Sequence, residues 1–314
     1  MRGYAERLLR EYPMRRRQQE KERFRLWLTG TLRELGYQTE LQTRDTPLQT
    51  GGRVVNVVAG DPEQAKLLLV AHYDTGLRTL LPPLIMPTRP LTGFLYLALT
   101  PVLVLLGSLL LSFALTFPFN APRATLPLFL LLLGASLLYL RFGPSETNNA
   151  NDNTSGVAAL LEVAAALTPR SRGAVAFAFL DGGFGGMSGA KGFRARYPSA
   201  KEKPVVNLNC VARGDELLIL PGRYARWAGD LLDALVESFG EAGAEGEKTV
   251  FLKTDGLTYY PSDNRAFHLG VTLCACERLR GFGRIIMPKK AESIDAKNLE
   301  ILKTGLCKLS EIIA

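Results

Sequence analysis

The sequence predicts an α/β fold, a sheet covered by helices, with a two-helix transmembrane hairpin inserted into it. Three observations carry this reading. Short runs rich in Val, Leu, Ile and Phe alternate with segments of helical periodicity. Two charge-free stretches interrupt that alternation, residues 90–122 with 33 positions and 124–140 with 17. The 314 residues are 47% hydrophobic and 22% charged, which excludes disordered and fibrous classes and leaves chain for a sizeable core.

The elements follow in order. Residues 6–35 read as amphipathic helix, with Leu8, Leu9, Phe24, Leu26, Trp27, Leu28 and Leu32 at near-helical spacing and a break at Tyr12-Pro13. The intervening Arg15, Arg16 and Arg17 suit either anionic headgroups or a solvated basic face. Strands are expected at 53–59, 66–72, 174–180, 204–211, 216–220 and 271–276. Several are continuously apolar, as strands buried on both faces are. Helices are expected at 156–167, after Thr154-Ser155 as capping residues, at 224–239 and at 296–313.

The stretch 90–122 exceeds the roughly 20 apolar residues that span hydrocarbon. The second stretch rises only about 25 Å, and its flanking Arg123 and Arg141 are placed to snorkel. The competing reading is a buried helix pair in a soluble core. The hairpin, 90–141, falls between the strand ending at His72 and the helix near Gly156, so 1–89 and 142–314 are expected to form one split domain. Residues 1–26 hold nine Lys or Arg against four Glu, and Arg78, Arg89 and Arg141 flank the hairpin on the same side. The positive-inside rule then puts the soluble part in the cytoplasm, on the cell membrane. The charged N-terminus is not apolar, so no secretory signal peptide is expected. Four Cys, at 210, 274, 276 and 307, make no disulfide framework, and reduced thiols suit that compartment. Cys274 and Cys276 face one side of a strand, as core residues or as a thiol pair for metal. The net charge of +8 lacks the aromatic-interleaved basic motif of a nucleic-acid surface, so no nucleic-acid partner is expected.

Two segments carry chemistry. Ala-His-Tyr-Asp-Thr at 71–75 ends an apolar strand, which aims His72 into the crevice where α/β ligands bind, with Asp74 placed to orient it. Asn-Asn-Ala-Asn-Asp-Asn-Thr-Ser-Gly at 148–156 puts Asp152 just before a helix, as a cation-bridging carboxylate or as turn and cap chemistry.

Together, in this order, these segments resemble the family 28 metallopeptidases, the co-catalytic zinc aminopeptidases and their relatives. The strand and turn at 175–189, the Asn-Leu-Asn segment within 205–216, and Ser262-Asp263-Asn264 with Phe267 and Gly270 extend the likeness over nearly all of the soluble chain. The resemblance implies a helix-covered mixed central sheet of the zinc-dependent exopeptidase type and a dizinc site with five ligand positions and a Glu base. His72 matches the first ligand and Asp152 the bridging carboxylate, with Asp74 and Asp263 behind them. Gly183 stands at the base position, and Phe184 and Asn209 at two further ligand positions. Met287, in a segment without His, stands near the last. No Glu lies between Glu162 and Glu202, no acid lies between Glu202 and Asp215, and no His follows His268, so a shifted alignment restores nothing. Residues 182–186 read as a flexible turn.

The expected function is therefore a membrane-anchored, catalytically inactive peptidase relative with a binding or scaffold role and no cofactor. Two readings compete with it. One is an active zinc-dependent aminopeptidase with a rearranged site, recruiting Asp181, Asp263 or Glu277; a lesser form keeps one metal on His72, Asp152 and Asn209. The other is a subunit of a membrane complex, with Gly107, Ser108, Gly134 and Ala135 allowing close helix approach. Membrane lipid and a peptide or protein are the expected partners.

Overall fold

A computed structural model describes residues 2–46, 52–79, 83–288 and 291–314. The side chain of Arg141, one of the expected snorkelling residues, lies outside the described residues, as do positions 289 and 290 of the Met287 segment.

The N-terminal region is two helices, α1 (Tyr4–Glu11) and α2 (Gln18–Glu34), divided at the expected Tyr12-Pro13 break. Strands β1 (Thr39–Asp45), β2 (Arg53–Ala59) and β3 (Leu67–His72) follow. After the hairpin helices α3 (Pro90–Thr116) and α4 (Thr125–Phe142) come α5 (Ser155–Ala166), the short α6 (Pro169–Arg172), β4 (Val175–Leu180) and α7 (Ser188–Arg196). The chain closes with β5 (Val205–Leu208), β6 (Glu216–Pro221), α8 (Gly229–Glu245), β7 (Thr249–Leu252), β8 (Gly270–Leu279), β9 (Gly283–Ile285) and α9 (Ala296–Ile313).

The strands form one mixed sheet in the order β1-β2-β4-β3-β5-β8-β6-β7, with β9 paired to β8. The central β4, β3, β5 and β8 are parallel; β2 and β6 run antiparallel to their inner neighbours. Strands on both sides of the inserted hairpin thus hydrogen-bond into a single sheet. Period-2 geometry splits β3 between two cores. Leu67, Leu69 and Ala71 join the larger one, with residues of α2, α5, α8 and α9, whereas Leu68 and Val70 join a smaller one around Phe193 of α7.

The unforeseen elements have physical reasons to escape a sequence reading. β1 is an edge strand with one buried residue, Gln42, so it carries no apolar alternation. β7 is the opposite edge, and α7 is rich in small and basic residues. The strand expected at 204–211 stops at Leu208 because the chain turns at Cys210, whose φ is 56°. The helix expected from 224 begins at Gly229. Thr154 and Ser155 do not cap α5: their hydroxyls bond Asn149 Oδ1 and the Asn151 carbonyl within the preceding loop.

α3 and α4 pack together along Ser108, Ser112 and Thr116, which lie one turn apart and are buried. Thr116 Oγ1 and Thr125 Oγ1 are 2.7 Å apart across the turn. The outward faces are apolar and open, so the buried-pair alternative fails. The apolar stretches within 90–119 and 122–140 are left almost wholly uncovered by the rest of the chain. Both helices are long and apolar enough to cross a membrane. Of the four small residues expected on a contact surface, Ser108 is spent in this internal seam, while Gly107 and Gly134 face open space.

The base of the hairpin is fastened to the domain. Leu77 pairs with Ser145, and Arg16 donates to the carbonyls of Gly143, at 2.8 Å, and Leu140, at 3.4 Å. These are carbonyls left free at the end of α4. Arg15 is fully buried, and corrects the expectation of a basic triplet facing lipid or solvent. It donates to the carbonyls of Tyr73 (2.6 Å) and Tyr12 (2.5 Å) and to Thr154 Oγ1 (2.7 Å). Burial pulls its pKa down to about 10 against the pull of Asp74. The segment between α1 and α2 is thereby stitched to the loops that carry His72 and Asp152.

Candidate functional site

The site lies at the C-terminal ends of parallel β3, β4 and β5, the edge where open α/β sheets hold ligands. His72 is the last residue of β3, pairing in register with Leu180 of β4. Asp152 comes from the loop before α5, where its backbone leaves helical geometry (φ −122°, ψ 90°). That loop is held by its asparagines, which the sequence reading took only for turn chemistry. Asn153 Nδ2 donates to the Leu208 carbonyl at 2.8 Å, and Asn153 Oδ1 accepts from Cys210 N at 3.2 Å. Asn151 Oδ1 accepts from Ala212 N at 2.9 Å, and its Nδ2 donates to the Met287 carbonyl at 3.1 Å. The Met287 segment thus reaches the Asp152 loop through its backbone.

His72 is clamped between two carboxylates. Its Nδ1 is 3.3 Å from Asp74 Oδ1 and its Nε2 is 3.2 Å from Asp152 Oδ1, with all three side chains largely buried. Burial acts to lower the imidazolium pKa, but Asp152 and Asp74 outweigh it and hold it well above the usual value. Burial acts equally against the Asp74 carboxylate; His72, Lys21 and the Gly183 N–H overcome it and hold Asp74 below the ordinary range.

The turn after β4 is not the loose segment expected. Gly183 N donates to Asp74 Oδ1 at 2.9 Å, and Phe184 N approaches Asp74 Oδ2 at 3.4 Å. A Cβ at Gly183 would stand 2.7 Å from His72 Cγ, so the backbone occupies the place where a side chain would begin. The Phe184 ring meets the imidazole edge-on, with centroids 5.4 Å apart. Asp181 forms a buried ion pair with Lys21 at 2.5 Å and accepts from Val55 N and Gly182 N. Burial nevertheless pushes its pKa up.

Asn209 Nδ2 donates to Ser262 Oγ at 3.0 Å, and Asn207 Nδ2 to the same oxygen at 2.6 Å. Asp263 is buried within electrostatic reach of His72, Asp74 and Asp152, and burial pushes its pKa up to about 6. It makes no hydrogen bond to His72. Among the described residues, Asn207 Oδ1, Asn209 Oδ1 and Asp263 Oδ1 are buried without a partner. Such acceptors are met by ordered water or by a ligand that donates.

The remaining candidates lie elsewhere. Glu277 pairs with Arg213 at 2.7 Å, and Asp181 is committed to Lys21. His268 bonds Glu202 and packs on Tyr224 at 4.8 Å. Cys274 and Cys276 sit in a small apolar core with Cys210 and Tyr260. Burial raises the pKa of all three thiols, so none is a nucleophile or ready ligand.

Set against a dizinc centre, this donor set does not fit. His72 Nε2 and Asp152 Oδ1 are two donors where two metals need several each. Among the described residues, no group of three His, Cys, Asp or Glu side chains is placed to hold a metal ion. The position expected for the base is Gly183, which has no side chain to take a proton. Arg15, Lys21, Asn151 and Asn153 are the site residues the sequence reading missed; only the Asn-rich run gave a signal, and it pointed equally to a turn.

The class is now defined: a mixed sheet of the zinc-exopeptidase type with its ligand-bearing edge intact in outline. Residues 136–273 match the family model for peptidase family M28, a span that holds Asp152, Gly183, Phe184, Asn209 and Asp263 and leaves out His72 and Met287. The fold is similar to a glutaminyl cyclase of Porphyromonas gingivalis (TM-score 0.60, 16% identity, 98% of this chain and 95% of that one). It is similar also to a Zn-dependent exopeptidase of Parabacteroides distasonis (0.59, 14%, 98% and 95%). A leucine aminopeptidase precursor of Bacteroides thetaiotaomicron is a third (0.56, 14%, 98% and 93%). No curated protein matches the sequence. The likeness to peptidase family M28 is carried by residues 136–273, and the solved structures show the same type of fold over nearly the whole chain.

Proposed function

We propose that this protein is a membrane-anchored M28 peptidase-like chain without dizinc peptidase chemistry, whose crevice has become a binding site. One observation carries the reading: the imidazole of His72 is flanked by Asp74, Asp152 and the Phe184 ring, where the family needs a metal pair and a carboxylate base. General-base loss alone costs about 10²–10⁴-fold in rate. The unpartnered acceptors of Asn209 and Asp263 favour a ligand that brings N–H donors, such as a peptide or amine. The open apolar faces of α3 and α4 support a bilayer span, and the basic residues at their base support a domain on the cytoplasmic side, built from 1–89 and 142–314.

Detergent-purified full-length protein, dialysed against zinc, tests this by elemental analysis together with release of amino acids from a peptide mixture. Substoichiometric zinc and no metal-dependent release are expected. Two zinc ions per chain with release would establish the active aminopeptidase instead. About one zinc per chain, lost in His72→Ala, would establish the single-metal site.

A further inference from the structure

A second cavity lies away from the crevice, where the chain enters α3. It is an open depression of about 400 Å³, lined by Thr88, Arg89, Arg278, Arg280, Gly281 and Arg284 among others. Four guanidiniums thus converge from two parts of the chain, Arg89 from the N-cap position of α3 and the rest from the β8–β9 hairpin. Glu216 is the carboxylate that answers them, 3.3 Å from Arg278 Nε and 2.5 Å from Arg284 Nε. Arg89 spends one nitrogen on the Gly281 carbonyl, which ties the hairpin tip to the residue before the helix. Among the described residues, exposed Arg280 has no hydrogen-bond or ion-pair partner. Among the described residues the group thus sets four guanidiniums against one carboxylate, and Arg284 also lies 4.2 Å over the Phe251 ring. Guanidinium forks of this kind match phosphate oxygens.

The surroundings say where the phosphate comes from. Leu279 and Phe282 on the hairpin tip are 48% and 46% exposed, and Leu91 and Phe94 in the first turns of α3 are 71% and 68% exposed. Apolar side chains therefore flank the arginines on the side where α3 departs. That mixture, basic groups beside exposed Leu and Phe at the foot of a spanning helix, suits the headgroup layer of a bilayer.

We propose that this cavity binds the phosphate of an anionic phospholipid headgroup, holding the β8–β9 edge of the domain against the membrane. The assignment to lipid rests on the reading of α3 and α4 as membrane spans; the phosphate chemistry does not.

Full-length protein in neutral detergent would be titrated with dioleoylphosphatidylglycerol or dioleoylphosphatidylcholine and the bound lipid counted by native mass spectrometry. Wild type is expected to retain phosphatidylglycerol over phosphatidylcholine, undisturbed by millimolar inorganic phosphate. Arg278→Ala and Arg280→Ala, both at exposed positions, are expected to weaken that retention by about fivefold each with unchanged circular dichroism. Equal retention of the two lipids, or retention unaffected by both substitutions, overturns the proposal. Inorganic phosphate that binds alone and displaces the lipid overturns the lipid assignment and leaves a site for a soluble phosphate compound. A wild-type chain that stays in solution without detergent overturns the membrane reading separately, since the phosphate arm still reads the cavity.

Discussion

Replacing His72 with Gln tests the geometry of the crevice most directly. The imidazolium stands 3.3 Å from Asp74 and 3.2 Å from Asp152, with side chains 5%, 6% and 14% exposed. Removing one partner of a buried ion pair typically costs about 3–5 kcal/mol, because the charge left behind stays desolvated. Asp74 keeps the Gly183 N–H, and Asp152 is the most exposed of the three, so the lower end applies, about 3 kcal/mol. For a domain of this size that is roughly 6–12 °C of melting temperature. The sign of the pH dependence follows from the raised pKa. The folded state holds a proton on His72 that the unfolded chain releases near pH 6.5, so the stabilisation is complete below that pH. It fades as pH rises through the higher folded value. Thermal unfolding of full-length protein in detergent, followed by circular dichroism, should therefore separate wild type from His72→Gln most widely near pH 6 and less at alkaline pH. Zinc should leave both curves in place. A melting point unchanged by His72→Gln, or a rise with zinc that this substitution abolishes, would refute the ion-triad reading and restore a metal site.

Three further outcomes follow from the same geometry. Asp263→Asn should stabilise the protein by about 3 kcal/mol at pH 8 and leave it unchanged near pH 4: the folded pKa of about 6 lies above the unfolded value, so wild type loses stability as pH rises between them. Denaturant midpoints at the two pH values read this. Lys21→Met should cost about 3–5 kcal/mol by stranding Asp181, and Lys21→Met/Asp181→Asn should recover part of it, as a double-mutant cycle would measure. Gly183→Ala should destabilise by about 1–3 kcal/mol, because its Cβ would stand 2.7 Å from His72 Cγ; Gly183→Glu should therefore yield no peptide hydrolysis, which a release assay checks.

Much of this protein was legible along the chain. The apolar runs of β3 and β4 are buried on both faces and announce themselves without alternation, and 33 positions without a charge mark the first long apolar helix. The replacements at Gly183, Phe184 and Asn209 are facts of residue identity, and so is the absence of a Glu between Glu162 and Glu202. What the chain could not disclose depends on residues far apart in sequence meeting in space. Arg15 read as part of a basic triplet and Lys21 only as one of the nine basic residues in 1–26, yet one is buried against Tyr73 and Thr154 and the other neutralises Asp181, 160 residues away. The glycine at 183 read as looseness, and only the approach of the β3 and β4 ends shows it as a tight contact with His72. The four arginines of the second cavity come from positions nearly 190 residues apart, brought together because β8 runs out beside the foot of α3. Local pattern disclosed the buried strands, the main amphipathic helices and the two long apolar helices, since periodicity is a property of neighbours in sequence. Tertiary structure alone decided which charges are paired and which are left to meet a ligand, because an ion pair is fixed by distance in space and by exclusion of water.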